Sequence, residues 1–129
     1  MNGRYLLDTN IVIALFAQDV VVIEKLQETE DIFIPSIVIG ELYYGAQKSG
    51  QIDANTRRVD EFAVANVILS CDHETARWYG QVKNKLRAKG QPIPENDVWI
   101  AALAIQHNLI LVTRDEHFKV VTDLQIEKW

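Results

Sequence analysis

Cysteine is nearly missing from this chain. Cys71 stands alone, so no disulfide can form within it, and a reducing, cytoplasmic setting is the simpler expectation. No apolar run approaches the ~20 residues that cross a bilayer. The amino-terminal stretch also lacks the basic and apolar regions of a signal peptide, because Asp8 interrupts it early. There is no Gly-rich phosphate loop, which argues against nucleotide binding of the P-loop or Rossmann kind. The histidines, His73, His107 and His117, have no zinc-binding spacing with Cys71 or with one another, and read as surface or satisfied polar residues. Positive charge is short as well: 13 Lys and Arg face 18 Asp and Glu, a net charge of −5. That deficit is adverse to a nucleic-acid partner. It loses force if acids gather as metal ligands, since two divalent ions add +4 and bring the balance from −5 to about −1.

What is present is an ordinary globular composition, 48% hydrophobic and 24% charged over 129 residues, enough for one domain spanning 1–129 with its own core. Tyr5-Leu6-Leu7 is a buried-strand pattern that runs directly into Asp8-Thr9-Asn10, with Asn10 placed to cap a helix over Ile11–Phe16. A second apolar stretch covers Val20–Leu26. Ile32-Phe33-Ile34 reads as a strand stopped by Pro35, with Ser36 as N-cap of a helix over Ile37–Gln47. An amphipathic helix over Asp53–Ala65, a strand at Val67–Leu69 and a long helix from Asp72 to Lys89, stopped by Gly90, follow. After Gln91-Pro92-Ile93-Pro94, an apolar helix starts at Glu95 or Asn96 and ends near Asn108. Leu109–Val112 is the clearest strand, and Leu124–Glu127 the last. Strands alternating with helices imply βαβ units, hence a three-layer α/β/α domain around a central parallel sheet.

Four acids stand out from that background. Asp8 and Asp115 each follow an apolar strand, where ligands of open α/β sheets bind. Glu41 interrupts the apolar run from Ile37 to Tyr44, and Asp97 opens a helix whose next five residues are uncharged. Each has a structural reading too: Asp97 and Asp115 as helix caps or first-turn acids, Asp8 in an Asx-turn, Glu41 beside a basic partner. Together they point toward one edge of the sheet. Two carboxylates about 5 Å apart repel by roughly 3 kcal/mol at an effective dielectric of 20. Four in one pocket therefore require cations or strongly raised pKa values. Oxygen-only donors select hard ions such as Mg²⁺ or Mn²⁺, which support phosphoryl-transfer chemistry.

Leu7-Asp8-Thr9-Asn10, Gly40-Glu41-Leu42-Tyr43-Tyr44-Gly45, Asn96-Asp97-Val98-Trp99-Ile100-Ala101-Ala102 and Thr113-Arg114-Asp115-Glu116-His117-Phe118 occur in one order along nearly the whole chain. In this the sequence resembles the PIN-domain ribonucleases, in particular the VapC-type toxins of toxin–antitoxin pairs. The resemblance implies a PIN-like fold with strand order 3-2-1-4-5. It implies a metal-dependent endoribonuclease in which Asp8, Glu41, Asp97 and Asp115 hold Mg²⁺ or Mn²⁺, Asp8 and Asp97 most directly. Water would attack the scissile phosphorus in line and leave a 5′ phosphate. Thr9, Asn10 and Thr113 are candidates to orient those carboxylates, or simply to satisfy backbone at the strand ends. Lys83, Lys85, Arg87 and Lys89 are candidates to guide an RNA backbone along the long helix, against a plain solvated face. Arg114 reads as a substrate or partner contact, or as the partner of a local acid. The family pattern also implies a homodimer, inhibition by a cognate antitoxin, and DNA contact only through that antitoxin. Tyr43 and Tyr44, with Leu42, are candidates for a dimer or antitoxin surface, and Trp78, Tyr79 and Trp99 for core or interface.

The rival readings are weaker. A haloacid-dehalogenase-type phosphatase needs a second Asp where Asn10 stands, and a receiver domain needs a lone Asp after the third strand. The remaining alternative is a catalytically inactive PIN-like module that only holds an antitoxin or DNA-bound partner.

Overall fold

The computed structural model describes residues 3–129. Its elements in chain order are β1 (Arg4–Leu7), α1 (Thr9–Phe16), α2 (Val20–Gln27), β2 (Asp31–Pro35), α3 (Ser36–Gln47), α4 (Ile52–Ala65), β3 (Val67–Leu69), α5 (His73–Ala88), α6 (Glu95–Gln106), β4 (Ile110–Val112), a 3-10 turn (Glu116–Val120) and β5 (Ile126–Glu127). All strand pairings are parallel and the sheet order is β3-β2-β1-β4-β5, flanked by helices as an α/β/α sandwich.

β1 lies at the centre because its residues tolerate burial on both faces: Tyr5, Leu6 and Leu7 are almost wholly enclosed. The chain moves from β1 to β2 on one side, and later returns to place β4 on the other. That reversal opens a crevice at the carboxyl ends of β1 and β4, the switch point of an open parallel sheet. Register completes the placement. Leu7 pairs with Val112, and the Asp8 amide donates to the Val112 carbonyl at 3.0 Å, so Asp8 and Thr113 emerge side by side.

α6 is apolar nearly all round and becomes the buried helix of the fold, with Val98 and Ile100 to Ala104 enclosed. It packs on α5, whose start is fixed by a capping box of Asp72 and Thr75. Gln106 at the far end of α6 donates to Asp72 at 3.0 Å and locks the pair. Gly90 (φ +66°) and Asn108 (φ +54°) take the left-handed conformation just beyond α5 and α6, which is the physical basis of the two stop signals.

Two expected caps move by a residue or more. Asp8, not Asn10, caps α1, its carboxylate accepting from the Thr9 amide at 2.8 Å, which leaves Asn10 inside the first turn. Pro35, not Ser36, holds the N-cap position of α3, because β2 runs straight into the helix with no intervening turn. Among the described residues, no helix is long and apolar enough to cross a membrane.

Candidate active site

Asp8, Thr9, Asn10, Glu41, Asp97 and Asp115 line one open cleft of about 560 Å³, together with Ile13, Pro94, Glu95 and Asn96. Strand ends bring two of the acids. Asp8 is the first residue beyond β1, and Asp115 lies three beyond β4, capping the 3-10 turn by accepting from the His117 amide at 2.9 Å. Helices bring the other two: Glu41 from the middle of α3 and Asp97 from the first turn of α6. The structural and the functional readings of Asp8, Asp97 and Asp115 are thus compatible, since each serves a helix start and faces the cleft.

Hydroxyls and amides hold these acids in place. The Thr113 hydroxyl donates to Asp8 Oδ2 at 2.7 Å and accepts from the Asp115 amide at 3.0 Å, so one side chain sets the spacing of two acids. Asn10 Nδ2 lies 3.4 Å from both Asp8 Oδ2 and Thr113 Oγ1, while its Oδ1 accepts from the Arg114 amide at 3.2 Å. The Thr9 hydroxyl donates to Glu41 Oε1, and Asn96 Nδ2 lies 3.4 Å from Glu41 Oε2. Asn96 is a positioning group that the sequence reading passed over, although it stands directly beside Asp97.

The electrostatics follow from that crowding. Burial first, then the charges of Asp8, Asp115 and Glu41, push the Asp97 carboxyl from 3.8 up to about 6. Burial also raises Asp8, aided by Glu41 and Asp115 and opposed by the hydrogen bonds from Thr113 and Thr9. Among the described residues, no Lys or Arg pairs with any of the four acids. A pocket in which burial and neighbouring carboxylates raise Asp8 and Asp97, and in which no acid has a Lys or Arg partner among the described residues, has the donor chemistry of a hard divalent cation site. Asp97, Asp115 and His117 each offer a ligand atom, all within 4.8 Å of one another. His117 is exposed and lies 2.9 Å from Asp115, in keeping with its reading as a surface or satisfied polar residue. The contact arises because Asp115 caps the 3-10 turn and its Oδ1 accepts the His117 amide.

Other candidates are placed elsewhere. Arg114 turns away from the cleft: its Nη2 lies 3.0 Å from Asp19 Oδ2 and its Nε donates to the Trp129 main-chain oxygen at 2.7 Å. Arg114 is thus paired with an acid, as one reading of it had it, but with one distant in sequence and not with its neighbour Asp115. Lys83, Lys85 and Arg87 of α5 and Lys89 at its C-cap form no single track, because helical spacing splits them into two pairs. Lys83 and Arg87 share one side, with Lys83 bound to Glu95 at 3.0 Å at the cleft mouth. Lys85 and Lys89 share the other, engaged by Asp123 at 2.7 Å and the Val120 carbonyl at 2.6 Å. Leu42 is core and Tyr43 is tied to Asp60, so of that trio only Tyr44 is exposed. Tyr79 stacks on Trp99 with ring centroids 4.1 Å apart, both half-buried.

An acid-lined cleft at the switch point of a parallel 3-2-1-4-5 sheet, with one hydroxyl bridging two strand-end acids, defines a nuclease-like α/β/α class. Residues 5–124 match the family model described as PIN domain. The chain is 35% identical over 129 residues to Ribonuclease VapC2 of Haemophilus influenzae, covering 98% of each chain. The crystal structure of VapBC2 from Rickettsia felis, bound to a DNA fragment from their promoter, superposes with a TM-score of 0.90 at 33% identity, covering 97% of this chain and 98% of that one. DNA-bound VapBC from Salmonella typhimurium superposes with a TM-score of 0.92 at 30% identity, covering 98% of both. The chain belongs to the PIN-domain family, among its VapC members.

Proposed function

We infer that this protein is a divalent-metal-dependent endoribonuclease, the toxin of a toxin–antitoxin pair. The observation that carries the reading is the gathering of Asp8, Glu41, Asp97 and Asp115 in one cleft with no Lys or Arg paired to them among the described residues. Similarity to a protein named as a ribonuclease supports RNA as substrate. Asp8 and Asp97, with Asp115 and Glu41 beside them, are the residues that would hold Mg²⁺ or Mn²⁺. Once bound, such a cation supplies activation of water and neutralisation of charge on the phosphodiester as the 3′ oxygen departs.

The rest is work for the chain's own residues. Thr113 keeps Asp8 from rotating out of the cleft and fixes Asp115 through its amide. Thr9 and Asn96 do the same for the two oxygens of Glu41, and Asn10 ties the β1 end to the β4 end. Orientation fixed before substrate arrives lowers the reorganisation needed in the transition state. Lys83 and Arg87, on the side of α5 nearest the mouth, would meet the RNA backbone as it enters.

An antitoxin partner is supported by the VapBC complexes this chain resembles, and by a groove beside the acids. Ile13, Phe16, Leu42, Gly45 and Val59 line that groove, and Glu41 stands at its edge. A homodimer, DNA contact through the antitoxin only, a single domain over 1–129 and a cytoplasmic location belong to the same reading.

The test is cleavage of RNA with Mg²⁺ or Mn²⁺, with chelator, and by Asp8→Asn and Asp97→Asn variants. Turnover should require the cation and fall at least ~10²-fold in either variant, the scale of losing a preorganised electrostatic group. Turnover indifferent to chelator and to both substitutions sinks the assignment and leaves the inactive binding module. Native mass measurements, alone and with the protein encoded next to it, test the dimer and the antitoxin.

A further inference from the structure

We propose that His117 supplies an imidazole nitrogen to the cation site, making it a mixed nitrogen–oxygen site that favours Mn²⁺ over Mg²⁺. The inference rests on the cation reading above and adds a ligand outside the four acids. His117 Nδ1 stands 2.9 Å from Asp115 Oδ1. Octahedral ligands at about 2.1 Å from an ion are separated by about 3.0 Å when adjacent and about 4.2 Å when opposite. The His117–Asp115 separation is that of an adjacent pair, and Asp97 completes a set whose atoms all fall within 4.8 Å of one another.

Backbone geometry makes the arrangement local. Asp115 caps the 3-10 turn that begins at Glu116, and its Oδ1 accepts the His117 amide at 2.9 Å. Phe118, fully buried, anchors the turn, and the largely solvent-exposed His117 ring lies beside Asp115, which lines the cleft. The ring nitrogen and the carboxylate oxygen already stand at the separation of two atoms that can share one ion. Carboxylate and water suit Mg²⁺ and Mn²⁺ alike, whereas an imidazole nitrogen adds more to the affinity for the softer ion.

The test is Mn²⁺ electron spin-echo envelope modulation on the full chain, at natural isotope abundance and after ¹⁵N-histidine labelling, and again on His117→Gln. Support is a directly coordinated ¹⁴N signal in the wild type that labelling converts to ¹⁵N and that His117→Gln abolishes. Calorimetry should show His117→Gln weakening Mn²⁺ by about tenfold or more and Mg²⁺ by less than about threefold. Mn²⁺ that binds the wild type with no nitrogen coupling overturns the proposal and leaves the all-oxygen cation site standing. Coupling that survives in His117→Gln overturns it too, by assigning the nitrogen to another residue. Failure of the wild type to bind Mn²⁺ at millimolar concentration removes the cation reading itself, and the proposal with it. The labelled wild-type comparison needs no variant to fold.

Discussion

Asp97→Asn removes one charge from the cleft at nearly constant volume, and its effect on stability should depend on pH in a defined way. The folded carboxyl titrates at about 6, raised from 3.8 by burial and by Asp8, Asp115 and Glu41. Between those two values the folded chain keeps a proton that the unfolded chain has released. Stability therefore falls as pH rises from about 4 to about 6 and levels off above, the sign expected for a carboxyl raised by folding. At 1.36 kcal/mol per pH unit the interval is worth about 3 kcal/mol as a ceiling. The carboxyl is only partly buried and water screens it, so about 1–2 kcal/mol is the working figure. In chelator at pH 7.5, Asp97→Asn should be more stable than the wild type by that amount, about 3–8 °C in Tm for a chain of this size. At pH 4 most of that gap should be gone. Urea unfolding at a series of pH values separates the charge effect, which varies, from any packing effect of the substitution, which does not. A variant no more stable than the wild type at pH 7.5, or a gap of the same size at pH 4, refutes the claim that these acids repel one another in the folded chain.

Saturating Mn²⁺ should reverse the ordering: at about 100 times Kd it stabilises the wild type by about 2.7 kcal/mol, read as a rise in Tm that Asp97→Asn largely loses. Thr113→Val leaves Asp8 Oδ2 without its short bond and the Asp115 amide without an acceptor. It should destabilise the chain by about 1–3 kcal/mol in urea and lower kcat more than it raises KM, because the acids lose their setting and not their charge. Arg114→Ala should lower Tm by releasing Asp19 and the Trp129 oxygen, while RNA cleavage at a temperature where the variant is folded stays within about threefold of the wild type, as for an interaction outside the transition state. A large loss of kcat in folded Arg114→Ala would return that side chain to the substrate.

Legibility in the sequence followed the range of the interaction. The strands were readable because an unbroken apolar run can only be buried, and an acid after such a run lies at the carboxyl edge of the sheet. That logic reached Asp8 and Asp115 and, through helices otherwise short of charge, Glu41 and Asp97. It even anticipated the hydroxyls, since Thr9 and Thr113 stand next to acids at strand ends. It failed where one residue of register decides the role. Asn10 and Ser36 are both good caps, but the strands run directly into their helices, and the cap falls to Asp8 and Pro35. It failed again where the partner is distant. Nothing local shows that Arg114 turns to Asp19, or that Lys85 turns to Asp123 while Lys83 turns to Glu95.

Among the described residues, the distant pairings also leave the four acids of the cleft without a Lys or Arg partner. Lys83 stands near the mouth and Arg114 directly precedes Asp115, so either could in principle have neutralised the cluster. Lys83 instead meets Glu95 at the rim, and Arg114 is drawn behind β4 to Asp19. The residues that do touch Asp8 and Glu41 are hydroxyl, amide and backbone donors. Such donors orient a carboxylate without discharging it. Had a guanidinium taken their place, Asp8 would be held below its usual range instead of above it, and the pocket would have little to offer a divalent ion. Lys83 and Arg114 are thus engaged by Glu95 and Asp19, and neither pairs with Asp8, Glu41, Asp97 or Asp115.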